Sequence, residues 1–188
     1  MSAIHHSETS DWAAAVLAFW FDEVGEQAWF TAGQALDVQV AARFGDLNDR
    51  LARGLIVPRL DSPQEVLAAI LVLDQFSRHL YRGSPRAYAC DARARELTRH
   101  AIENGLDAVL GAHERLFVYM PLQHSEDRQD QAESVRLFEA LGDERWTAFA
   151  VAHRNVVERF GRFPHRNPVL GRVSTPEELQ AIADGAAW

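Results

Sequence analysis

The helix that reads over residues 63–82 carries an acid on its apolar face, and this placement constrains the fold more than any other feature. Ser62-Pro63 announces its start, with Ser62 as N-cap, Pro63 in the first turn and Glu65 close behind. Wound at about 100° per residue, its apolar face is built by Val66, Leu67, Ile70, Leu73, Ser77, Leu80 and Tyr81, and Asp74 falls between Leu67 and Tyr81. A carboxylate aimed at a core must be paired or neutralised, because desolvating it alone costs several kcal/mol. Arg78 stands four residues on and Arg82 four further. Either Asp74 and Arg78 brace this helix against a neighbour, or Asp74 is the acidic wall of a pocket whose other wall is basic.

The rest of the chain reads as helices separated by short turns. Residues 10–20 open with Ser10 as N-cap and carry Trp12, Val16, Leu17, Phe19 and Trp20 at near-helical spacing. A loop from Gly25 to Thr31 follows, in which Trp29 and Phe30 form a hydrophobic plug. Over 36–53, Leu36, Val40, Phe44, Leu47 and Leu51 share one face, and Gly54 ends the helix. Gly83-Ser84-Pro85 breaks the chain before a helix over 86–103 that turns Ala89, Leu97, Ala101 and Ile102 inward. The helix over 113–123 is apolar all round from Leu116 to Leu122, so it is buried, and Pro121 predicts a kink or an early end. Ser125 is the expected cap of a helix over 125–141 that stops at Gly142. The last long helix, 144–160, buries Trp146, Phe149, Ala150, Val156, Val157 and Phe160 with His153 among them, and Gly161 stops it. Thr175-Pro176-Glu177-Glu178 caps a short final helix. With about eight helices and no convincing strand, the expected fold is all-α, a set of antiparallel helical hairpins forming one domain over 1–188.

Composition narrows the function classes. A chain of 188 residues, 47% of them apolar, is long enough for a proper core. A net charge of −8 argues against nucleic acid, which wants a large basic face. All 19 basic side chains are Arg, and the absence of Lys rules out Schiff-base chemistry and a P-loop. The lone Cys90 excludes internal disulfides and a multi-cysteine zinc site. No nucleophile elbow, Gly-rich phosphate loop or cofactor fingerprint is present, so no cofactor and no metal are expected. The longest uncharged apolar run, residues 66–73, is far too short to span a bilayer, and MSAIHHSETSDW has no signal-peptide pattern, so no membrane role is expected and a cytoplasmic location follows.

Against that acidic background, residues 153–175, HRNVVERFGRFPHRNPVLGRVST, set five arginines against the single acid Glu158. Such an island needs internal carboxylates or an anionic ligand. A second polar block, His124-Ser125-Glu126-Asp127, follows the Pro121 helix. Helix capping accounts for Ser125, Glu126 and Asp127 and leaves His124 at the exit of a buried helix. His153 reads either as a satisfied core residue or as a general base beside a carboxylate.

The segments LDQFSRHLYRGSPRAYACD, FVYMPLQHSEDRQDQ and RFGRFPHRNPVLGRVSTPEE, with the opening VLAFWFDE, resemble the signature blocks of the bacterial domain-of-unknown-function family 924 across essentially the whole chain. The resemblance implies a tetratricopeptide-like helical fold. It carries no settled activity. By position it places the family's polar signature on Asp74, Gln75, Arg78, Arg82, His124, Ser125, Glu126, Asp127, Arg162, His165, Arg166 and Asn167. Ser77 stands where the family leads one to expect Pro, which implies a smoother helix here.

Two functions of different class remain. In the first, a small anionic molecule or an acidic peptide end binds among Arg78, Arg82, Arg162, Arg166, His124 and His165, because Arg forks match carboxylate and phosphate oxygens. In the second, the protein is a hydrolase-like enzyme with His153 or His124 as base, Asp74 or Glu126 orienting it, and arginines stabilising developing charge. A plainer alternative is an interaction scaffold for a protein partner, with a purely structural polar cluster. The pocket reading expects Asp74, Arg78, His124, Glu126, Arg162, His165 and Arg166 to gather in one concave region.

Overall fold

The computed structural model describes residues 8–30 and 33–185. Every regular element among them is helical, and no strand occurs among the described residues. They group into two compact units. One holds the chain up to Arg82 together with Arg86–Val118, and the other holds Gly83–Pro85 and the chain from Tyr119 onward.

The first unit contains α1 (Glu8–Leu17), α2 (Gln34–Ala52), α3 (Pro63–Ile70), α4 (Ser77–Leu80), α5 (Asp91–Glu103) and residues 112–118 of α6 (Ala112–Gln123). α3 is its centre, with α1 and α5 packed on it. Ser62 caps it, accepting from the Glu65 N–H at 3.3 Å. The eight residues 66–73 are each at most 1% exposed. Consecutive apolar residues leave no face for water, so this stretch is enclosed on all sides where the sequence pattern predicts one apolar face. Full burial of each Val, Leu or Ile there stabilises by about 1.5–3 kcal/mol. Leu80 and Tyr81, at the end of the expected face, are only half-buried.

Between α3 and α4 the helix widens into a π-helical turn, Leu71–Phe76, instead of running smoothly past Ser77. The wider turn is supported from α2. Asn48 donates to the Val72 carbonyl at 2.8 Å and to Ser77 Oγ at 2.9 Å. A second π-helical turn, Ala18–Val24, extends α1. Its Trp20 carbonyl accepts from Trp29 Nε1 at 2.8 Å and from the Gly25 N–H at 3.2 Å. Trp29 is therefore a buried plug, whereas Phe30 is 60% exposed; Thr31 lies outside the described residues.

Two expected boundaries shift in this unit. α1 begins at Glu8, so Ser10 lies inside it and not ahead of it. Pro85–Tyr88 forms a 3-10 turn, and α5 starts only at Asp91. Ala89 is consequently exposed, and Ala87, Ala94 and Thr98 take the buried places. Thr98 donates to the Val118 carbonyl at 2.7 Å.

The second unit contains residues 119–123 of α6, then α7 (Arg128–Leu141), α8 (Glu144–Phe160) and α9 (Pro176–Ala183). α6 runs two residues beyond Pro121. Gln131 Nε2 donates to the carbonyls of Gln123 and Ser125, each at 2.7 Å, and so satisfies backbone acceptors at the buried end of the helix. α7 and α8 form an antiparallel hairpin around Gly142, whose φ of 77° is a conformation that a side chain would strain. Asp127, not Ser125, caps α7, accepting from the N–H groups of Gln129 at 2.8 Å and Asp130 at 3.1 Å. Ser125 is spent differently: its hydroxyl donates to Asp130 Oδ2 at 2.6 Å. On α8, Phe149 is exposed against expectation, while Trp146, Ala150, His153, Val156 and Val157 are buried. Thr175 and Glu178 form the expected capping box on α9.

Candidate functional site

Asp74 lies in the π-helical turn with no exposed surface, and Arg78 Nη1 is 3.0 Å from its Oδ1. The same guanidinium donates to both Asp91 oxygens, at 3.2 and 3.3 Å. Gln75 Nε2 adds a bond to Asp74 Oδ2 at 2.6 Å. The Asp74–Arg78 pairing that the apolar face demands is thus present, with a second carboxylate that the sequence reading passes over. Asp91 opens α5, where an acid is readily explained by the helix dipole alone. Arg82 serves another acid: its Nε and Nη2 close on the two oxygens of Asp37, both at 2.8 Å.

In the second unit, His124, Glu126, His153, His165 and Arg166 gather around Phe163. The Phe163 ring centroid lies 5.6 Å from His153 and 5.7 Å from His165, and the Arg166 guanidinium carbon stands 4.6 Å over the ring. His124 and His153 are 6.3 Å apart, and Arg166 Nη2 donates to the His124 carbonyl at 3.0 Å. The turn after α8 delivers this arrangement. Gly161 ends the helix, and the 3-10 turn Pro164–Arg166 folds His165 and Arg166 back beside Phe163.

The acids of this region are engaged. Glu126 accepts from the Phe163 N–H at 2.7 Å and from the Arg172 fork at 2.8 and 2.9 Å. Burial works against its charge, yet the Arg172 bond and the Phe163 amide hold its carboxyl below the ordinary range. Glu178 accepts from Arg162 at 2.6 and 2.9 Å, and the Arg162 hydrogen bond is the main reason its carboxyl is pulled down to about 2. Asn167 Nδ2 bonds Ser174 Oγ at 3.0 Å and Glu178 Oε2 at 3.2 Å, so Arg162 and Asn167 both tie the 161–167 turn to α9. Asp127 is occupied as the α7 cap. The Arg172–Glu126 and Arg162–Glu178 pairs are contacts that sequence reasoning missed; each spans a distance in sequence that leaves no periodic signal.

His153 is 4% exposed, and its Nδ1 lies 2.8 Å from the Phe149 carbonyl one turn back. The same Nδ1 lies 3.2 Å from Gln123 Nε2. Burial first, then the charges of His124, His165 and Arg166, push this imidazole down to about 3.

An open groove of about 530 Å³ occurs in the first unit, lined by Leu17, Phe21, Asp22, His113 and Glu114 among others, and none of the candidate site residues lines it. Among the described residues no group of three or more His, Cys, Asp or Glu is placed to hold a metal ion. No helix among them is long and apolar enough to cross a membrane.

A solved structure of a protein of unknown function from Agrobacterium tumefaciens is similar to this chain, with a TM-score of 0.90 and 38% identity over 95% of this chain and 100% of that one. The model of the family described as bacterial protein of unknown function, DUF924, matches residues 16–186. No curated protein matches.

Proposed function

The chain belongs to the DUF924 family of bacterial proteins of unknown function, and for this member we propose a binding role: the cluster around Phe163 holds a small anionic molecule or the acidic end of a peptide. His124, His165 and Arg166 supply the attraction, and Phe163 supplies the floor. The observation that carries this reading is the gathering of His124, His153, His165 and Arg166 around Phe163 while Glu126 and Glu178 are committed to Arg172 and Arg162. An anion entering such a field replaces water with charge-assisted hydrogen bonds, and Arg offers a planar fork for carboxylate or phosphate. His153 itself has the electrostatic role, since its buried ring is anchored on its own helix. Arg78 and Arg82 stay outside the proposal because Asp74, Asp91 and Asp37 already hold them.

Thermal denaturation of the full chain against phosphate, citrate and an acetylated glutamate dipeptide tests this. At about a hundred times its Kd a true ligand stabilises by about 2.7 kcal/mol. The shift should weaken with added salt and vanish in a His124→Ala, His165→Ala double variant, yet persist in Arg82→Ala. A double variant that retains the full shift, or a wild type that no anion stabilises, overturns the reading.

A further inference from the structure

The open groove of the first unit runs between α1 and the start of α6. α1 and its π-helical extension bury Ala13, Val16, Phe19 and Trp20, each at most 3% exposed. Ala14, Leu17, Ala18 and Phe21 recur at helical spacing as a second apolar line, and that line forms one wall of the groove. Ala14 and Ala18 are exposed, while Leu17 and Phe21 are half-buried. A helix that is apolar on two sides normally has both covered. Residues 111–114 form the other wall. Trp29 joins the two, with its ring 5.6 Å from that of Phe21 and 5.3 Å from that of His113.

Charge and shape define what covers this face. The Asp22 carboxylate closes the α1 wall and meets no ion pair or hydrogen bond among the described residues. Glu114 spends Oε2 on the Gly111 amide at 2.7 Å. Among the lining residues His113 alone can carry positive charge, and Glu26 Oε2 lies 3.4 Å from its Nε2. Asp22, Glu26 and Glu114 thus outnumber the imidazole, and the rim presents a negative field to a cation. From Ala14 to Asp22 the wall runs for roughly 10 Å, about two helical turns. Ala14, Ala18, Gly111 and Ala112 carry little or no side chain, so a second backbone can lie close along it. An open track of this length leaves a small molecule mostly in water, whereas a helix fills it along its axis.

We propose that the groove docks an amphipathic helix of a partner protein, laid along α1 with an Arg or Lys facing Asp22 and Glu114. Apolar residues of that helix, spaced i, i+3 and i+7, pack on Leu17 and Phe21, and its smaller residues pass over Ala14 and Ala18. The rim selects a basic helix over an acidic one, because a carboxylate brought there meets acids and no free cation. Phe30, 60% exposed with its ring 6.4 Å from that of Trp29, adds apolar surface beside the residue that joins the walls. The groove lies wholly in the first unit and is independent of the anion-binding role given to the second.

The test uses the full chain and a fluorescent peptide of about 18 residues, long enough to be helical, built from Leu, Ala and Lys with Leu at the stated spacing. A twin carries Glu in place of Lys, and a scramble of the first has no apolar stripe. By fluorescence anisotropy the Lys peptide should bind and the other two should not. Asp22→Asn with Glu114→Gln should weaken binding roughly 3- to 30-fold. Ala18→Arg, at an exposed position, fills the floor, opposes the cation and should abolish binding. Asp46→Asn with Asp49→Asn, which takes two acids from α2 instead, should bind as wild type does. Amide NMR of wild type needs no variant to fold, and the peptide should move resonances of residues 14–22 and 111–114. Shifts confined to other residues, no binding of the Lys peptide, equal binding of its Glu twin, or equal losses in the two acid-pair variants overturns the proposal. A wild type that self-associates in sedimentation, and no longer does so as Ala18→Arg, also overturns it, since the occupant is then a second copy of the chain.

Discussion

Arg78 in the first unit answers two acids, Asp74 and Asp91, whereas Glu126 in the second is answered by Arg172 and a backbone amide together. In the first arrangement the cation is the scarce group, and both acids are buried around it. In the second the acid is saturated, is half-buried, and sits beside a cluster of imidazoles. The first network is closed by its own stoichiometry. The second leaves a positive field behind. Similar charge-assisted contacts thus give a brace in one unit and a candidate site in the other, and the ratio of acids to cations decides which.

The largest expected effect tests the scarce cation. Arg78→Ala strands two buried carboxylates and should cost about 3–5 kcal/mol in urea denaturation, because an uncompensated buried charge is far worse than a lost contact. Arg172→Ala should cost less, about 1–3 kcal/mol, since Glu126 keeps the Phe163 amide and water can reach it. If the two variants are equally destabilised, the distinction between the networks collapses. Adding Asp91→Asn to Arg78→Ala should recover part of the loss by removing one stranded charge.

A smaller effect examines the positive field through pH. His153 binds its proton only near pH 3 when folded, against an ordinary value near 6.5. Between those values the unfolded chain takes up a proton that the folded one refuses, so folding stability rises with pH. The contribution is complete above about 6.5 and is lost on acidification, by up to about 1.4 kcal/mol per pH unit. His153→Leu should therefore flatten the dependence of urea midpoint on pH between 6.5 and 4.5. An unchanged slope would mean that neither burial nor the neighbours depress His153. Binding of an anion beside His124 and His165 should raise the His153 value, which a wild-type NMR titration with and without phosphate would follow.

Much of this was legible along the chain, and what was not has a common cause. Ser62, Gly142, Gly161 and Thr175 mark helix ends by chemistry confined to a few residues, and the structure keeps all four. Asp74 and Arg78 are one helical turn apart, so wheel geometry finds them. Asp37, Asp91 and Glu178 also stand in first turns, where the helix dipole offers a sufficient local account and hides their long-range bonds to Arg82, Arg78 and Arg162. Both π-helical turns escape for a related reason. Each is supported by a side chain from elsewhere, Asn48 on Val72 and Trp29 on Trp20, so the local sequence carries no sign of the added residue. Arg78, Arg82 and Arg162, singled out from the sequence, do gather with acids, but the question of which acids is settled only in three dimensions.

The smallest effect separates two residues that the sequence could not rank. Ser125 and Asp127 are both good N-cap residues two positions apart, and only Asp127 has the extended backbone, φ −88° and ψ 132°, with its carboxylate on the amides of Gln129 and Asp130. Asp127→Ala should cost about 1 kcal/mol, the usual value of a lost cap. Asp127→Asn should cost almost nothing, since Asn caps as well as Asp. That contrast also examines whether Asp127 belongs with the polar signature as a ligand group or only as a cap. A cap needs an acceptor oxygen and not a charge, so Asn should preserve both stability and the anion-induced thermal shift. If Asp127→Asn is instead as unstable as Asp127→Ala, the carboxylate charge is the working feature, and its place is with the cluster around Phe163.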